Sequence, residues 1–167
     1  MFDKNYEIKC KIPDIAKFRN IIKKENSYIY SKETQTDIYY RVKKGRLKLR
    51  IINNDIASLI YYERSDKTKI RTSNYIISRT KDFKQLDNIL RSQLKLLTVV
   101  SKVRHIFIKN NIRIHLDRVK KLGDFIEIEI IYKEIKSAKK QMKELIEFLE
   151  LNKNDFIKHS YSDMLIK

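Results

Sequence analysis

The segment Phe125-Ile126-Glu127-Ile128-Glu129-Ile130-Ile131 alternates strictly between apolar and polar positions. As a β-strand it puts Ile126, Ile128 and Ile130 on one face and Phe125, Glu127, Glu129 and Ile131 on the other. The same period of two runs through residues 5–12, where Tyr6, Ile8, Cys10 and Ile12 oppose Asn5, Glu7, Lys9 and Lys11. It returns in Arg46-Leu47-Lys48-Leu49-Arg50-Ile51 and in Arg113-Ile114-His115-Leu116-Asp117. Further β-prone runs lie at 28–30, 36–42, 58–64, 69–79, 98–108 and 112–119, separated by turn-forming clusters such as Lys44-Gly45, Asn53-Asn54-Asp55, Ser65-Asp66, Asn110-Asn111 and Leu122-Gly123. Strands joined by such short turns pair antiparallel.

The period changes to that of a helix in three places. Pro13 and Asp14 open one that carries Ile15, Phe18, Ile21 and Ile22 on a single face and ends near Glu25-Asn26. A second covers 82–97, with Phe83, Leu86, Ile89, Leu90, Leu94 and Leu97 on its apolar side. The third covers 134–151, with Ile135, Ala138, Met142, Leu145, Ile146 and Leu149 inward. The tail 160–165 carries enough apolar side chains to dock on the rest.

About eight strands with interspersed helices predict an α+β fold, an eight-stranded antiparallel β-barrel with helices packed outside. The helices need an apolar surface to cover. The strands supply it only if their apolar faces point outward, which turns their polar faces into the barrel, opposite to the usual small barrel. With two glycines, one proline and no low-complexity stretch, residues 1–167 are expected to form one domain. No apolar run is long enough to span a membrane and the first residues lack a signal-peptide core, so a cytoplasmic protein is expected. Cys10, the lone cysteine, falls on an apolar strand face and reads as a small buried hydrophobe.

Charge changes this picture more than composition does. Lys and Arg number 38 against 21 Asp and Glu, a formal net charge of +17, which invites a nucleic-acid partner. Much of that excess is Lys-rich surface of the kind AT-rich genomes encode. The polar strand faces are more specific: they offer Asn5, Glu7, Lys9 and Lys11; Arg46, Lys48 and Arg50; Tyr62 and Arg64; Lys102 and Arg104; Arg113, His115 and Asp117; Glu127 and Glu129. Carboxylates concentrate on the first and last strands and cations between them. Such a set inside a barrel suits a polyphosphate clamped by Arg and Lys, with carboxylates holding Mg²⁺ or Mn²⁺. His115, beside Asp117, has two readings, a group that assists proton transfer and a simple hydrogen-bond donor, and the second is favoured.

These residues also carry a resemblance. Asn5-Tyr6-Glu7-Ile8-Lys9 is similar to the Glu-x-Glu-x-Lys signature of the CYTH superfamily, the triphosphate tunnel metalloenzymes that include class IV adenylate cyclases and thiamine triphosphatases. Residues 35–40, 45–50, 61–64, 113–119, 122–129 and the tail Ser160-Tyr161-Ser162-Asp163 resemble later family segments in the same order. The resemblance implies an eight-stranded tunnel in which Lys9, Lys11, Lys48, Arg50, Arg64, Lys102, Arg104 and Arg113 bind phosphates. It implies that Glu7, Asp117, Glu127 and Glu129 hold the metal, with Lys9, Glu127 and Glu129 as the catalytic set. Asn5 departs from the signature, because an amide oxygen brings no charge where the family has a Glu. Hydrolysis of inorganic or organic triphosphate is the leading expectation. Conversion of ATP to cyclic AMP is the competitor, and non-enzymatic binding of nucleotide, polyphosphate or RNA is the third. A monomer or a homodimer is expected.

Overall fold

The computed structural model describes residues 4–64 and 73–166, with side chains over 5–63 and 76–166. Its elements are β1 (Lys4–Ile12), α1 (Ile15–Lys24), β2 (Ile29–Tyr40), β3 (Arg46–Ile52), β4 (Ile56–Arg64), β5 (Ser73–Thr80), α2 (Phe83–Gln93), β6 (Leu96–Lys109), β7 (Ile112–Val119), β8 (Gly123–Tyr132), α3 (Ile135–Phe148) and α4 (Tyr161–Ile166). The strands form one antiparallel sheet in the order β1-β8-β7-β6-β2-β3-β4-β5. The expected eight strands are present, but among the described residues no ladder joins β1 to β5, so the sheet is curled rather than closed by hydrogen bonds. Side chains of β1 and of β4 and β5 nevertheless line one cavity, which shows how far the sheet curls.

Register places the charged positions on the concave face. Glu7 pairs with Glu129 and Lys9 with Glu127 across β1 and β8. Arg113 and His115 of β7 stand opposite Glu129 and Glu127. Arg104 of β6 faces Asp117, and Asp37 of β2 faces Arg50 of β3. The alternate positions therefore point outward, as the apolar helix faces require. Tyr6, Ile8, Cys10 and Ile12 of β1 join Ile126, Ile128 and Ile130 of β8, Ile114 and Leu116 of β7 and Phe107 of β6 under α1 and α3. A second outer cluster, with Ile38, Tyr40, Leu49 and Ala57, lies under α2.

Local signals explain most boundaries. Asp14 caps α1, its carboxylate accepting from the Ala16 amide at 2.9 Å. Asn53 and Asn54 both take positive φ in the three-residue β3–β4 turn, the conformation that favours Asn in tight hairpins. Gly45 also has positive φ, and a Cβ there would meet the Tyr61 ring at 2.8–2.9 Å. Three expectations are corrected. The expected strands at 28–30 and 36–42 are replaced by one strand, β2 (Ile29–Tyr40), because the polar residues 32–35 between them pair with β6. The second helix ends at Gln93, since Leu94 turns extended and Leu97 already belongs to β6. Ile89 and Ile135 are exposed, on the outer sides of α2 and α3, rather than inward. The expected turn at 65–68 lies outside the described residues.

Helix α4 does something different from the other three. Phe125, Val119, Val100 and Tyr39 share the concave face with the charges, and they are capped by Tyr161, Ile157, Met164 and Leu165 of the tail. The tail is an apolar plug in one end of a polar groove. Ile157 is tied to β1 by its amide, which donates to the Lys9 carbonyl at 2.8 Å.

The outer core sets the stability of the sheet. Ile128 is wholly buried, so Ile128→Ala is expected to cost about 2–5 kcal/mol in urea unfolding. Ile29, 75% exposed on β2, is the control, and Ile29→Ala should stay within about 0.5 kcal/mol of the parent chain.

Candidate active site

The concave face encloses a cavity of about 260 Å³. Among the described residues its charged lining is Lys9, Lys48, Arg50, Lys102, Arg104 and Arg113 with Glu7, Asp37, Glu127 and Glu129. Asn5, Tyr39, Tyr62, Ser160 and Tyr161 add polar atoms, and Ile60 and Ile77 are the apolar wall.

Two buried aspartates organise the cations. Asp37 accepts from Arg50 through both carboxylate oxygens, at 2.7 and 2.8 Å, and from the Lys48 ammonium at 2.9 Å. Asp117 accepts from Arg104 in the same forked way, at 2.7 Å twice, from Lys102 at 3.5 Å and from the Tyr161 hydroxyl at 2.9 Å. Such forks fix the guanidinium planes and leave their remaining N–H groups pointing into the cavity. Burial alone would push both carboxyls up, but the adjacent cations outweigh it and hold each below the usual carboxylate range. The lysines carry the opposite strain. Burial, together with the neighbouring Arg50, lowers Lys48 to about 8; burial and Arg104 lower Lys102 to about 7.

Asp117, expected among the metal ligands, is placed here with its oxygens accepting from Arg104, Lys102 and Tyr161. Its role here is to orient cations.

The opposite wall is acidic. Glu127 lies 3.5 Å from the Lys9 ammonium and 3.6 Å from Arg104. Burial raises its pKa, but Lys9 and Arg104 prevail and hold it well below the usual value. Glu129 has no such clamp. Burial first, then the charges of Glu127 and Glu7, raise it to about 7. Glu127, Glu129 and His115 offer one donor atom each, all within 4.8 Å of one another. The His115 Nδ1 and the Asn5 Oδ1 are buried without a hydrogen-bond partner. His115 stands 3.7 Å from Glu129, yet burial and Arg104 lower its pKa far enough that the ring is neutral at pH 7, so the contact is not an ion pair. Carboxylate oxygens with unsatisfied polar atoms beside them are a donor set that fits a divalent cation.

The remaining expected residues divide. Lys9 is buried against Tyr161, its ammonium 4.1 Å from the ring centroid. Glu7 lines the acidic wall, and Arg113 lines the cavity while remaining exposed, at its mouth. Lys11 is corrected: it is exposed and outside the cavity, because it pairs with Phe125, where the apolar plug has replaced the charged lining. The Arg64 side chain lies outside the described residues. Sequence reasoning missed Asp37 and Tyr161 as organising groups. Asp37 was detectable, since extending the β2–β3 hairpin from its turn sets it opposite Arg50. Tyr161 had no local signal, because its partner Asp117 is 44 residues away.

A family model described as the CYTH domain matches residues 3–161. A protein of Methanocaldococcus jannaschii named "Putative adenylate cyclase MJ0240" is 28% identical over 168 residues, covering 95% of this chain and 96% of that protein. Among solved structures, the PH1012 protein of Pyrococcus horikoshii OT3 is similar with a TM-score of 0.85 and 26% identity, over 95% of this chain and 98% of that one. A Hippeastrum protein, titled "Putative adenylyl cyclase HpAC1" with "a dominant triphophatase activity", shares the fold with a TM-score of 0.65 at 10% identity, over 98% and 94% of the two chains. No helix among the described residues is long and apolar enough to cross a membrane.

The lowered lysines predict a pH dependence. In the folded chain Lys102 and Lys48 lose their protons near 7 and 8, whereas in the unfolded chain they keep them to about 10.5. Between pH 7 and 9 the unfolded state therefore binds more protons, and stability of the ligand-free chain is expected to rise with pH. Urea unfolding at a series of pH values checks this. In Lys102→Met the slope should be shallower.

Proposed function

The chain belongs to the CYTH family, and on that premise we propose that it is a metal-dependent triphosphatase acting on inorganic triphosphate or on the triphosphate of a small organic molecule. The observation that carries this reading is the division of one cavity into a cationic floor pinned by Asp37 and Asp117 and an acidic wall of Glu7, Glu127 and Glu129. Cations alone would suit any polyanion. Carboxylates beside them repel a bare one, and suit a polyphosphate that arrives with a divalent cation.

Arg50, Lys48, Lys102 and Arg104 bind non-bridging oxygens along the phosphate chain, in orientations already fixed before substrate arrives. Arg113 at the mouth guides and then holds an outer phosphate. Lys9, between Glu127 and the Tyr161 ring, places a positive charge near the acidic wall. Glu7, Glu127 and Glu129 would hold Mg²⁺ or Mn²⁺, which when bound neutralises charge on phosphate oxygens during phosphoryl transfer. The tail plug excludes water from one end of the groove. A cavity of about 260 Å³ is room for a triphosphate chain, with the rest of a larger substrate at the open mouth.

A second reading, cyclisation of ATP to cyclic AMP and pyrophosphate, is favoured by the name of the Methanocaldococcus jannaschii relative. Incubation with inorganic triphosphate, thiamine triphosphate and ATP, each with Mg²⁺ or Mn²⁺, separates the two. Phosphate release is expected. Cyclic AMP as the main product would replace hydrolysis by cyclisation, and tight, salt-sensitive RNA binding without turnover would remove both.

Two variants follow from the geometry. Arg113→Ala deletes a cation exposed at the mouth, so it should weaken triphosphate binding by about 1.5–3 kcal/mol, roughly 10- to 100-fold, with an unchanged melting temperature. Arg50→Ala leaves the buried Asp37 with Lys48 alone, so it should lower both affinity and melting temperature. Calorimetric titration and thermal unfolding measure the two effects separately.

A further inference from the structure

We infer that His115 is a direct ligand of the divalent cation, completing a site with Glu127 and Glu129 that takes Mn²⁺ in preference to Mg²⁺. The inference rests on the metal-dependent reading above and adds to it a nitrogen donor and the ion preference that nitrogen brings.

His115 is 6% exposed, on the concave face of β7, directly opposite Glu127 and flanked on its other side by Ile106 of β6. Its Nδ1 has no hydrogen-bond partner and stands 3.7 Å from the Glu129 carboxylate. A histidine kept only for packing would be expected to satisfy both ring nitrogens, since an orphaned buried nitrogen is costly. His105, on the neighbouring strand, does form such a bond, 2.8 Å from the Tyr30 hydroxyl. The donor atoms of His115, Glu127 and Glu129 lie within 4.8 Å of one another. Two ligands of one ion stand at most about 4.3 Å apart for bonds of roughly 2.0–2.2 Å, so a small side-chain rotation brings all three onto a common cation.

The preference follows from donor chemistry. Mg²⁺ favours an all-oxygen shell of near-ideal octahedral geometry. Imidazole suits transition ions, and Mn²⁺ accepts carboxylates as readily as Mg²⁺ does. Asn5 moves the balance the same way. Its neutral, unpartnered amide oxygen faces this wall two residues before Glu7, where a second carboxylate would have favoured the harder ion.

Pulsed electron paramagnetic resonance of Mn²⁺ bound to the full chain, without substrate, tests the assignment. A coordinated imidazole modulates the Mn²⁺ echo at ¹⁴N frequencies, and the modulation should change to the ¹⁵N pattern when histidine is ¹⁵N-labelled. His115→Gln should abolish it and weaken Mn²⁺ binding at least tenfold, while Mg²⁺ binding, measured by competition, changes less than threefold. His105→Gln and His159→Gln should retain the modulation. The wild-type spectrum decides even if His115→Gln fails to fold. Mn²⁺ binding with no ¹⁴N modulation overturns the inference and leaves the metal-dependent reading intact. Absence of Mn²⁺ binding overturns both, and equal affinity for Mg²⁺ and Mn²⁺ in the wild type overturns the preference.

Discussion

The forked ion pairs of Asp37 with Arg50 and of Asp117 with Arg104 are what the rest of the structure depends on. A concave face lined by arginines and lysines would repel itself and lose hydration on curling. Two carboxylates, 2% and 0% exposed, supply the compensating charge from within the wall. Each also accepts from a lysine, so each binds a cluster of cations rather than one partner. Such a cluster adds little net stability over an apolar core, but breaking it by removing one partner costs about 3–5 kcal/mol. Its value is orientation: the cations are aimed before any ligand is present.

The inside-out arrangement of the sheet follows from the same constraint. Charges occupy the concave face, so apolar residues must occupy the convex one, and the convex side needs cover. Helices α1 and α3 cover β1, β8, β7 and part of β6, and α2 covers β2, β3 and β4. The exception is instructive. Where Phe125, Val119, Val100 and Tyr39 turn inward, the chain supplies its own apolar tail to meet them. The plug is also wired to the charge network, because Tyr161 donates to Asp117 and lies beneath both Lys9 and Lys102.

The faces of this fold were legible because strand alternation has a period of two, and one residue of slippage would have turned Ile126, Ile128 and Ile130 of β8 to the concave face. Register within hairpins was legible for the same reason, and with it the pairing of Asp37 and Arg50. What the sequence hid is long-range or three-dimensional. Curl without closure depends on the accumulated twist of the sheet, which no local pattern encodes. Asp117 looked like a metal ligand because it shares a face with carboxylates on paper. Its neighbours on β6 and from the tail tie it into the cation network as well, and neither is near it in sequence. Lys11 alternates with Lys9 correctly, but the plug begins between them.

The separation of charge within the cavity carries a consequence for what can enter. Arg50, Lys48, Lys102 and Arg104 are pinned to the floor, whereas Glu129 has Glu127 and Glu7 beside it, offset only in part by Arg104 and by Arg113 on the adjacent strand. Burial, and after it the charges of Arg50 and Arg104, makes the floor's lysines give up protons easily despite Asp37 and Asp117. Burial, with the charges of Glu127 and Glu7 beside it, makes Glu129 hold its proton up to about pH 7. A ligand that relieves only one of these strains leaves the other in place. A polyphosphate alone would meet the carboxylates unfavourably, and a divalent ion alone would sit beside unneutralised arginines. The pair together relieves both, so each should bind more tightly in the presence of the other, as reciprocal coupling between two sites requires. On the proposed reading, the cavity selects a complex of anion and cation rather than either by itself.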